Sequence, residues 1–155
     1  MLDWLSGIIY NTNMSTYLTV LDTNVLLAAL RSKRGASYLL LSLFGTGKFE
    51  IALSVPLVLE YEAVIMRYLR ELTVTSRDVS DILDYLCAIA KRQPIYYLWR
   101  PFLRDPKDDM LLELAVSASC QFIITFNLKD FVGIERFSLR AMTPKTFLEV
   151  IGVLP

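Results

Sequence analysis

The chain has 155 residues, 54% of them hydrophobic, with equal numbers of acidic and basic side chains, so its size and composition fit one domain with a well-covered core. It contains no histidine, which excludes Ser-His-Asp and Cys-His nucleophiles, paired-histidine ribonuclease chemistry and histidine-ligated zinc sites. Its zero net charge gives no overall electrostatic support for nucleic-acid binding, and it has no apolar run of the roughly 18 residues that a membrane span requires.

The chain begins with a stretch that is unlike the domain after it. Met1–Tyr10 lacks the basic region of a secretory signal, and we interpret residues 1–14 as an amino-terminal extension or leader. Residues 15–155 are predicted to form a single domain. Cys87 and Cys120 lie in apolar contexts, which favours free, buried thiols in a reducing compartment, so we expect a cytoplasmic protein.

Strand and helix patterns alternate along the rest of the chain. Short β-branched or apolar runs predict strands, and longer runs of helix formers with capping residues predict helices. The predicted strands cover residues 17–21, 49–53, 94–98, 122–125 and 139–142, and the predicted helices cover 25–30, 36–44, 57–69, 76–89, 110–119 and 145–153. This alternation predicts an α/β fold, a three-layer α/β/α sandwich with a central parallel sheet.

The first predicted strand is followed by Asp22, a carboxylate between an apolar strand and an apolar helix. Both faces of a parallel sheet are covered, and α/β folds build their sites at the carboxyl ends of the strands. Thr23 and Asn24 supply the short polar groups that start a helix. Asp22 therefore either caps that helix or belongs to a site, and this stretch alone does not choose between the two roles.

Two further acids interrupt the predicted helix at 57–69, which is otherwise apolar on nearly all sides. Glu60 and Glu62 are both costly to bury without a partner, and the helical periodicity does not choose between them. Glu60 lies nearer the amino end of the helix and therefore nearer the strand-end crevice.

Residues 100–109 form a loop with many charges. Asp105 and Pro106 fit the N-cap and first residue of the following helix, and Asp108 then occupies the third helical position, where an acid supports the cap. Asp109 has no such local role, so we expect it to be the acid that serves a site.

Polar side chains that follow a predicted strand or begin the next helix recur along the chain, namely Asp22, Glu60, Asp109, Asn127 and Asp130. Since the carboxyl ends of parallel strands converge on one crevice, these side chains are predicted to meet there. Each pair of carboxylates at ~4 Å repels by about 4 kcal/mol at an effective dielectric constant near 20, whereas each helix amino end offsets only ~0.3–1 kcal/mol. A divalent cation balances this repulsion, and all-oxygen ligands suit Mg2+ or Mn2+.

The chain resembles the PIN domain in four segments, which occur in the family's order and spacing: LDTNVLLAAL, SVPLVLEYEAV, RDPKDDMLLELAV and IITFNLKDF. The closest likeness is to the VapC-like toxin ribonucleases of bacterial type II toxin–antitoxin systems, and it extends from about Tyr17 to Thr143-Pro144. The resemblance implies a magnesium-dependent endoribonuclease that hydrolyses RNA phosphodiester bonds. It also implies a cognate antitoxin that holds the enzyme inactive, and a homodimer.

The resemblance also implies which residues act. Asp22 matches the first acid, Glu60 the second in the pattern S-x-x-L-x-x-E, and Asp109 the third. Many PIN domains have a fourth aspartate where this chain has Asn127, and Asp130 follows three residues later, which leaves the fourth ligand open between these two. The implied catalytic and metal-binding set is therefore Asp22, Glu60, Asp109 and Asp130, and the candidate RNA contacts are Asn24, Arg31, Lys33, Arg34, Thr125 and Asn127.

Other interpretations fit less well. A haloacid-dehalogenase-like phosphatase requires a second aspartate where this chain has Asn24, and a response-regulator receiver requires an acid pair that is missing here. Ordinary solvation is a sufficient explanation for the cluster of Arg31, Lys33 and Arg34. The main alternative is a catalytically inactive PIN-like module that binds RNA or protein, although carboxylates that face phosphate bring no benefit to a pure RNA binder.

Overall fold

The computed structural model of the protein describes residues 16–95 and 101–155. Five strands in these residues form one sheet in which all pairings are parallel. They are β1 (Leu18–Leu21), β2 (Glu50–Leu53), β3 (Lys91–Arg92), β4 (Phe122–Ile124) and β5 (Arg140–Met142). Their order across the sheet is β3-β2-β1-β4-β5, with β1 at the centre.

Six α-helices in the described part of the chain connect or follow these strands. They are α1 (Thr23–Arg31), α2 (Ala36–Ser42), α3 (Val55–Arg67), α4 (Ser76–Ile89), α5 (Pro106–Ser117) and α6 (Pro144–Val150). The chain passes from β1 outward to β2 and β3, then returns through α5 to β4 and β5 on the other side of β1. Since such crossovers are right-handed, the two directions of travel place helices on opposite faces of the sheet. The predicted three-layer α/β/α fold with a parallel sheet is confirmed.

The sheet is covered on both faces, as its sequence predicts. All four residues of β1 are buried, as are the three residues of β4 and the last three of β2. Tyr17, Phe122, Phe147 and Phe49 pack edge to face in a chain beside these strands. Alternate residues of these strands therefore contribute to the core on either side.

Polar residues follow four of the strands at one edge of the sheet: Asp22, Ser54, Thr125 and Thr143. Ser54 and Thr143 are helix caps, because each accepts a 3.3 Å hydrogen bond from the backbone N–H three residues later. Asp22 and Thr125 have no such capping bond, and they lie on adjacent strands. This part of the edge is therefore free to form a site.

The predicted strand at 94–98 is wrong where it can be compared. Residues 94 and 95 are not in a strand, residues 96–98 lie outside the described residues, and the third strand is the two-residue β3. Both side chains of β3 are exposed, so this edge strand has no apolar pattern that could have predicted it. The predicted extension at 1–14 also lies outside the described residues.

Cys87 and Cys120 are free thiols, as expected, with Cys120 buried and Cys87 partly buried. None of the helices in the described ranges combines the length and apolar content needed to cross a membrane.

Candidate active site

A cavity of about 160 Å3 lies at the carboxyl edge of the sheet, beside the amino ends of α1 and α5. Four carboxylates line it, and we name this cavity the acid pocket. The carboxylates are those of Asp22, Glu60, Asp105 and Asp108, and the lining also includes Asn24, Lys107 and Asn127.

Asp22 is held in the acid pocket by hydrogen bonds from the neighbouring strand end. The buried Thr125 hydroxyl donates to Asp22 Oδ2 at 2.7 Å, and the Asn127 N–H donates to Thr125 Oγ1 at 3.0 Å. Burial raises the pKa of Asp22, against the opposing effects of the Thr125 hydroxyl and the nearby amide groups. Asp22 occupies the N-cap position of α1 without a side-chain capping bond, so its carboxylate serves the acid pocket instead.

Glu60 reaches the acid pocket from α3. Its side chain is 21% exposed, and its Oε1 lies 3.2 Å from Lys107 Nζ. Glu62, the other acid on this helix that the periodicity allowed, is exposed and lines a separate groove between α3 and α4. The structure thus places Glu60, and not Glu62, with Asp22.

Tyr61 connects these two parts of the site. Its buried hydroxyl donates to the backbone oxygen of Leu21 at 2.5 Å. Since Leu21 precedes Asp22 and Tyr61 follows Glu60, this bond fixes the helix of one acid to the strand end of the other.

The amino end of α5 brings two more carboxylates to the acid pocket. Asp105 is the N-cap, as predicted, because its Oδ1 accepts the Lys107 N–H at 2.9 Å. Asp108 lies within electrostatic range of the other acids. Burial, followed by the charges of Asp22, Asp105, Asp130 and Asp109, raises the pKa of Asp108 to about 6. The acid pocket therefore holds more negative charge than its own residues balance.

Asp109 has a different environment from the one expected. Its Oδ1 accepts the backbone N–H groups of Phe102 and Leu103 at 3.1 Å and 2.8 Å, and it does not line the acid pocket. The expectation that Asp109 has no local role is wrong, and so is the restriction of Asp108 to helix support. Adjacent helical residues are about 100° apart around the axis. Asp108 therefore faces the acid pocket, and Asp109 faces the preceding loop.

The predicted RNA-contacting cations lie away from the acid pocket. Arg31 pairs with Glu71 at 2.9 Å and lies over the ring of Tyr68, 5.2 Å from its centroid. Lys33 and Arg34 line a different cavity, beyond the carboxyl end of α1. Since Asp22 precedes this nine-residue helix, its rise of ~1.5 Å per residue separates the two ends by about 13 Å.

The remaining predicted residues lie near the acid pocket. Asn24 and Asn127 line it, and Thr125 supports Asp22 from behind. Asp130 is exposed in the 3-10 turn Leu128–Phe131, close enough for its charge to raise the pKa of Asp108.

The donor chemistry of the acid pocket fits a hard divalent cation. Its potential ligands are all oxygens, and Asn24 Oδ1 is buried without a hydrogen-bond partner. Among the described residues, however, no three acidic, cysteine or histidine side chains are already grouped closely enough to hold a metal ion. The residues thus fit such an ion in type and charge, and some side-chain movement would be needed to bind it.

Sequence reasoning missed four contributors to this site: Asp105 and Asp108 as pocket acids, Lys107 as the cation of the pocket, and Tyr61 as a brace. A signal for Asp108 was present, because it precedes Leu111 by three residues and therefore shares its helix face. Both residues line the acid pocket. The hydrogen bond of Tyr61 had no signal in the sequence, since it depends on how α3 packs against β1.

A family model described as PIN domain matches residues 19–129, which is more than half of the chain and includes every residue of the acid pocket. No curated protein matches the chain.

Proposed function

The chain belongs to the PIN domain family, whose members are generally nucleases, and from this premise we propose that it is a divalent-metal-dependent endoribonuclease. The proposal extends to the VapC-like toxin branch, because the four sequence segments that resemble that branch contain the residues of the acid pocket.

The observation that carries the proposal is the accumulation of four carboxylates in one small cavity at the carboxyl edge of the sheet. Such a cavity repels anionic RNA unless positive charge is added to it. The pKa of Asp108 is raised by burial and, after that, by the same excess of negative charge. A site of this composition is better suited to binding a cation, which in turn contacts the phosphate, than to binding the phosphate directly.

We propose that Asp22, Glu60 and Asp108 are the main ligands of Mg2+ or Mn2+, with Asp130 as a further ligand. The resemblance assigns the third position to Asp109, but two backbone amides occupy Asp109 Oδ1, so the geometry favours Asp108. When bound, the ion supplies the positive charge that stabilises the developing charge on the scissile phosphate and makes a nearby water more acidic.

The chain's own residues position and polarise the reactants. The Thr125 hydroxyl engages Asp22 Oδ2 and so leaves Oδ1 for the pocket. We assign to Glu60, which is partly exposed to solvent, the roles of orienting a water molecule and accepting its proton. Asn24 and Asn127 offer amide groups at the same cavity, and we assign them to hydrogen bonds with RNA or with the water.

RNA extends beyond a cavity of this size, so further contacts are needed. Lys33 and Arg34 remain candidates for the RNA backbone at a distance of several nucleotides from the cleavage point. Arg31 is a weaker candidate, because Glu71 already neutralises it.

We also propose that the protein forms a homodimer and binds a cognate antitoxin, as the resemblance implies. Large apolar side chains on the described surface support this proposal: Val55 and Leu59, on α3, are 73% and 60% exposed. Co-expression with the protein encoded by an adjacent small reading frame tests the antitoxin, and failure to form a complex would count against it.

RNA cleavage by the purified protein tests the proposed function. We expect cleavage with MgCl2 or MnCl2, loss of cleavage in EDTA, and a decrease of several orders of magnitude in Asp22→Asn, because metal assistance is worth several kcal/mol. Asp81→Asn removes an exposed acid of α4 and is the matched control, which should cleave like the wild type. Cleavage that survives EDTA would contradict the proposal, and RNA binding without cleavage would support the inactive binding module.

A further inference from the structure

Lys107 is the one cation among the described residues that line the acid pocket, where it accompanies four carboxylates. Its Nζ lies 3.2 Å from Glu60 Oε1. Lys107 is the second residue of α5, and the dipole of a helix disfavours positive charge in its first turn. The helix therefore gives no reason for a cation at this position, whereas the carboxylates of the pocket do.

The side chain of Lys107 can leave the pocket without unfolding anything. It is 59% exposed, whereas that of Glu60 is 21% exposed. A lysine is a compact charge on a flexible four-carbon stem, and its ammonium regains full hydration when it moves into solvent. The contact with Glu60 is thus a partly solvated ion pair, and such pairs are weak enough for another cation to displace the lysine.

We propose that Lys107 is a tethered counter-cation of the acid pocket, which holds Glu60 while no divalent cation is bound and releases it when one binds. The inference rests on the proposed function, because it requires that the acid pocket bind a divalent cation. Lys107 and the ion would compete for the same Glu60 carboxylate, and two cations in a cavity of about 160 Å3 repel each other. Lys107 consequently lowers the affinity of the pocket for the ion.

Calorimetric titration with MnCl2 alone, on the full chain freed of metal with EDTA, tests the inference through binding and not through cleavage. We expect Lys107→Met to bind Mn2+ about fivefold more tightly than the wild type, the change that corresponds to loss of a partly exposed ion pair. Lys107→Arg keeps the charge and should remain near the wild-type affinity. Lys48→Met removes an exposed lysine before β2, at the opposite edge of the sheet, and should also leave the affinity unchanged.

Repeating the titration in a Glu60→Gln variant shows whether the effect of Lys107 depends on Glu60. The Glu60→Gln variant lacks the carboxylate for which Lys107 and the ion compete. Adding Lys107→Met to it should therefore change the Mn2+ affinity much less than Lys107→Met does in the wild type. Lys107→Gln supplies a second neutral side chain in case Lys107→Met does not fold. Equal affinities in the wild type and both neutral variants would overturn the inference and leave the proposed function standing. Absence of Mn2+ binding in the wild type and in these variants would overturn the proposed function and the inference together.

Discussion

Asp108 and Asp109 are neighbours in the chain but contribute to stability with opposite signs. Asp109 accepts two backbone hydrogen bonds, which stabilise the loop at 102–103. Asp108 is partly buried, and this burial and the like charges around it destabilise its charged form. Asp108 therefore destabilises the metal-free fold, whereas Asp109 stabilises it.

Asp108→Asn should stabilise the metal-free protein at neutral pH. Because the pKa of Asp108 rises from 3.8 to about 6 on folding, the folded state binds more protons than the unfolded state between these values, and stability falls as the pH rises through them. After discounting for solvent screening, we expect a gain of about 1 kcal/mol at pH 7, or a melting temperature ~2–4 °C higher. The measurement is thermal melting in EDTA from pH 3.5 to pH 8.

The pH profile distinguishes this explanation from a general effect of the substitution. The gain in Asp108→Asn should be complete above about pH 6 and disappear near pH 4, where the wild-type carboxyl is protonated in both states. A gain that is equal at pH 4 and pH 7 would contradict the explanation that burial and like charges destabilise the charged form of Asp108.

Asp109→Ala should have the opposite effect. It removes the acceptor of two hydrogen bonds from Phe102 and Leu103, and bonds to charged groups contribute ~1.5–3 kcal/mol. We expect the melting temperature at pH 7 to fall by about 4–8 °C. If Asp109→Ala melts like the wild type, the loop does not depend on this carboxylate.

Local sequence rules described the caps better than the pocket. Asp105 and Ser54 were predictable as N-caps, because a cap depends only on backbone groups two or three residues away. The choice between Asp108 and Asp109 depends on the rotation of α5 about its axis relative to β1. That rotation is set by the packing of Leu111, Leu112 and Leu114, all buried, and not by the charged residues themselves.

At the scale of elements, the site depends on how α3 meets the end of β1. The hydrogen bond from Tyr61 to Leu21 O is buried, and it links the backbone before Asp22 to the helix of Glu60. A buried bond of this kind contributes ~0.5–1.5 kcal/mol, and the unsatisfied carbonyl left by its removal adds to the cost. Its larger effect is on the relative placement of the two carboxylates.

Tyr61→Phe should therefore lower both stability and cleavage. We expect a melting temperature about 4 °C lower and a metal-dependent cleavage rate about tenfold lower, since small displacements of catalytic groups are costly. Tyr85→Phe is the matched control, because the Tyr85 hydroxyl also donates to a backbone oxygen, that of Phe44 at 2.9 Å, away from the acid pocket. It should cleave RNA at the wild-type rate, and an equal loss of cleavage in both variants would contradict a specific role for Tyr61.

The elements themselves were predictable where burial imposes a pattern on the sequence. β1, β2 and β4 are buried apolar runs bounded by polar residues, and each was predicted within one or two residues of its observed bounds. β3 was not, because its two residues are exposed and are a strand only through backbone pairing with β2. Edge strands of this length have almost no side-chain signature.

At the scale of the whole molecule, the parallel topology explains why residues that are distant in the chain share one cavity. Asp22 follows β1, Asp108 lies in the first turn of α5 and Glu60 lies in the second turn of α3. All three line one cavity at the same edge of the sheet, where the alternation of strands and helices predicts a site. The basic cluster after α1 belongs to the other end of that helix for the same reason. Zero net charge therefore conceals a separation of acidic and basic regions along α1.

Light scattering tests the proposed homodimer. We expect the molar mass at micromolar concentration to be twice the 17.7 kDa of the chain. Val55 and Leu59 are exposed to solvent, and burying these apolar side chains against a second copy is favourable. A mass of one chain that persists as the concentration rises would contradict the dimer and would leave the proposals for the acid pocket unaffected.

The proposed function requires that the acid pocket bind the divalent cation through which the protein cleaves RNA. Anomalous diffraction from a crystal soaked in MnCl2 tests it most directly, because it locates the ion independently of any activity. We expect a manganese peak within the acid pocket, in contact with carboxylate oxygens of Asp22 and Asp108. A fully soaked crystal with no peak in the acid pocket, or with peaks only at other surface acids, would contradict the proposed function.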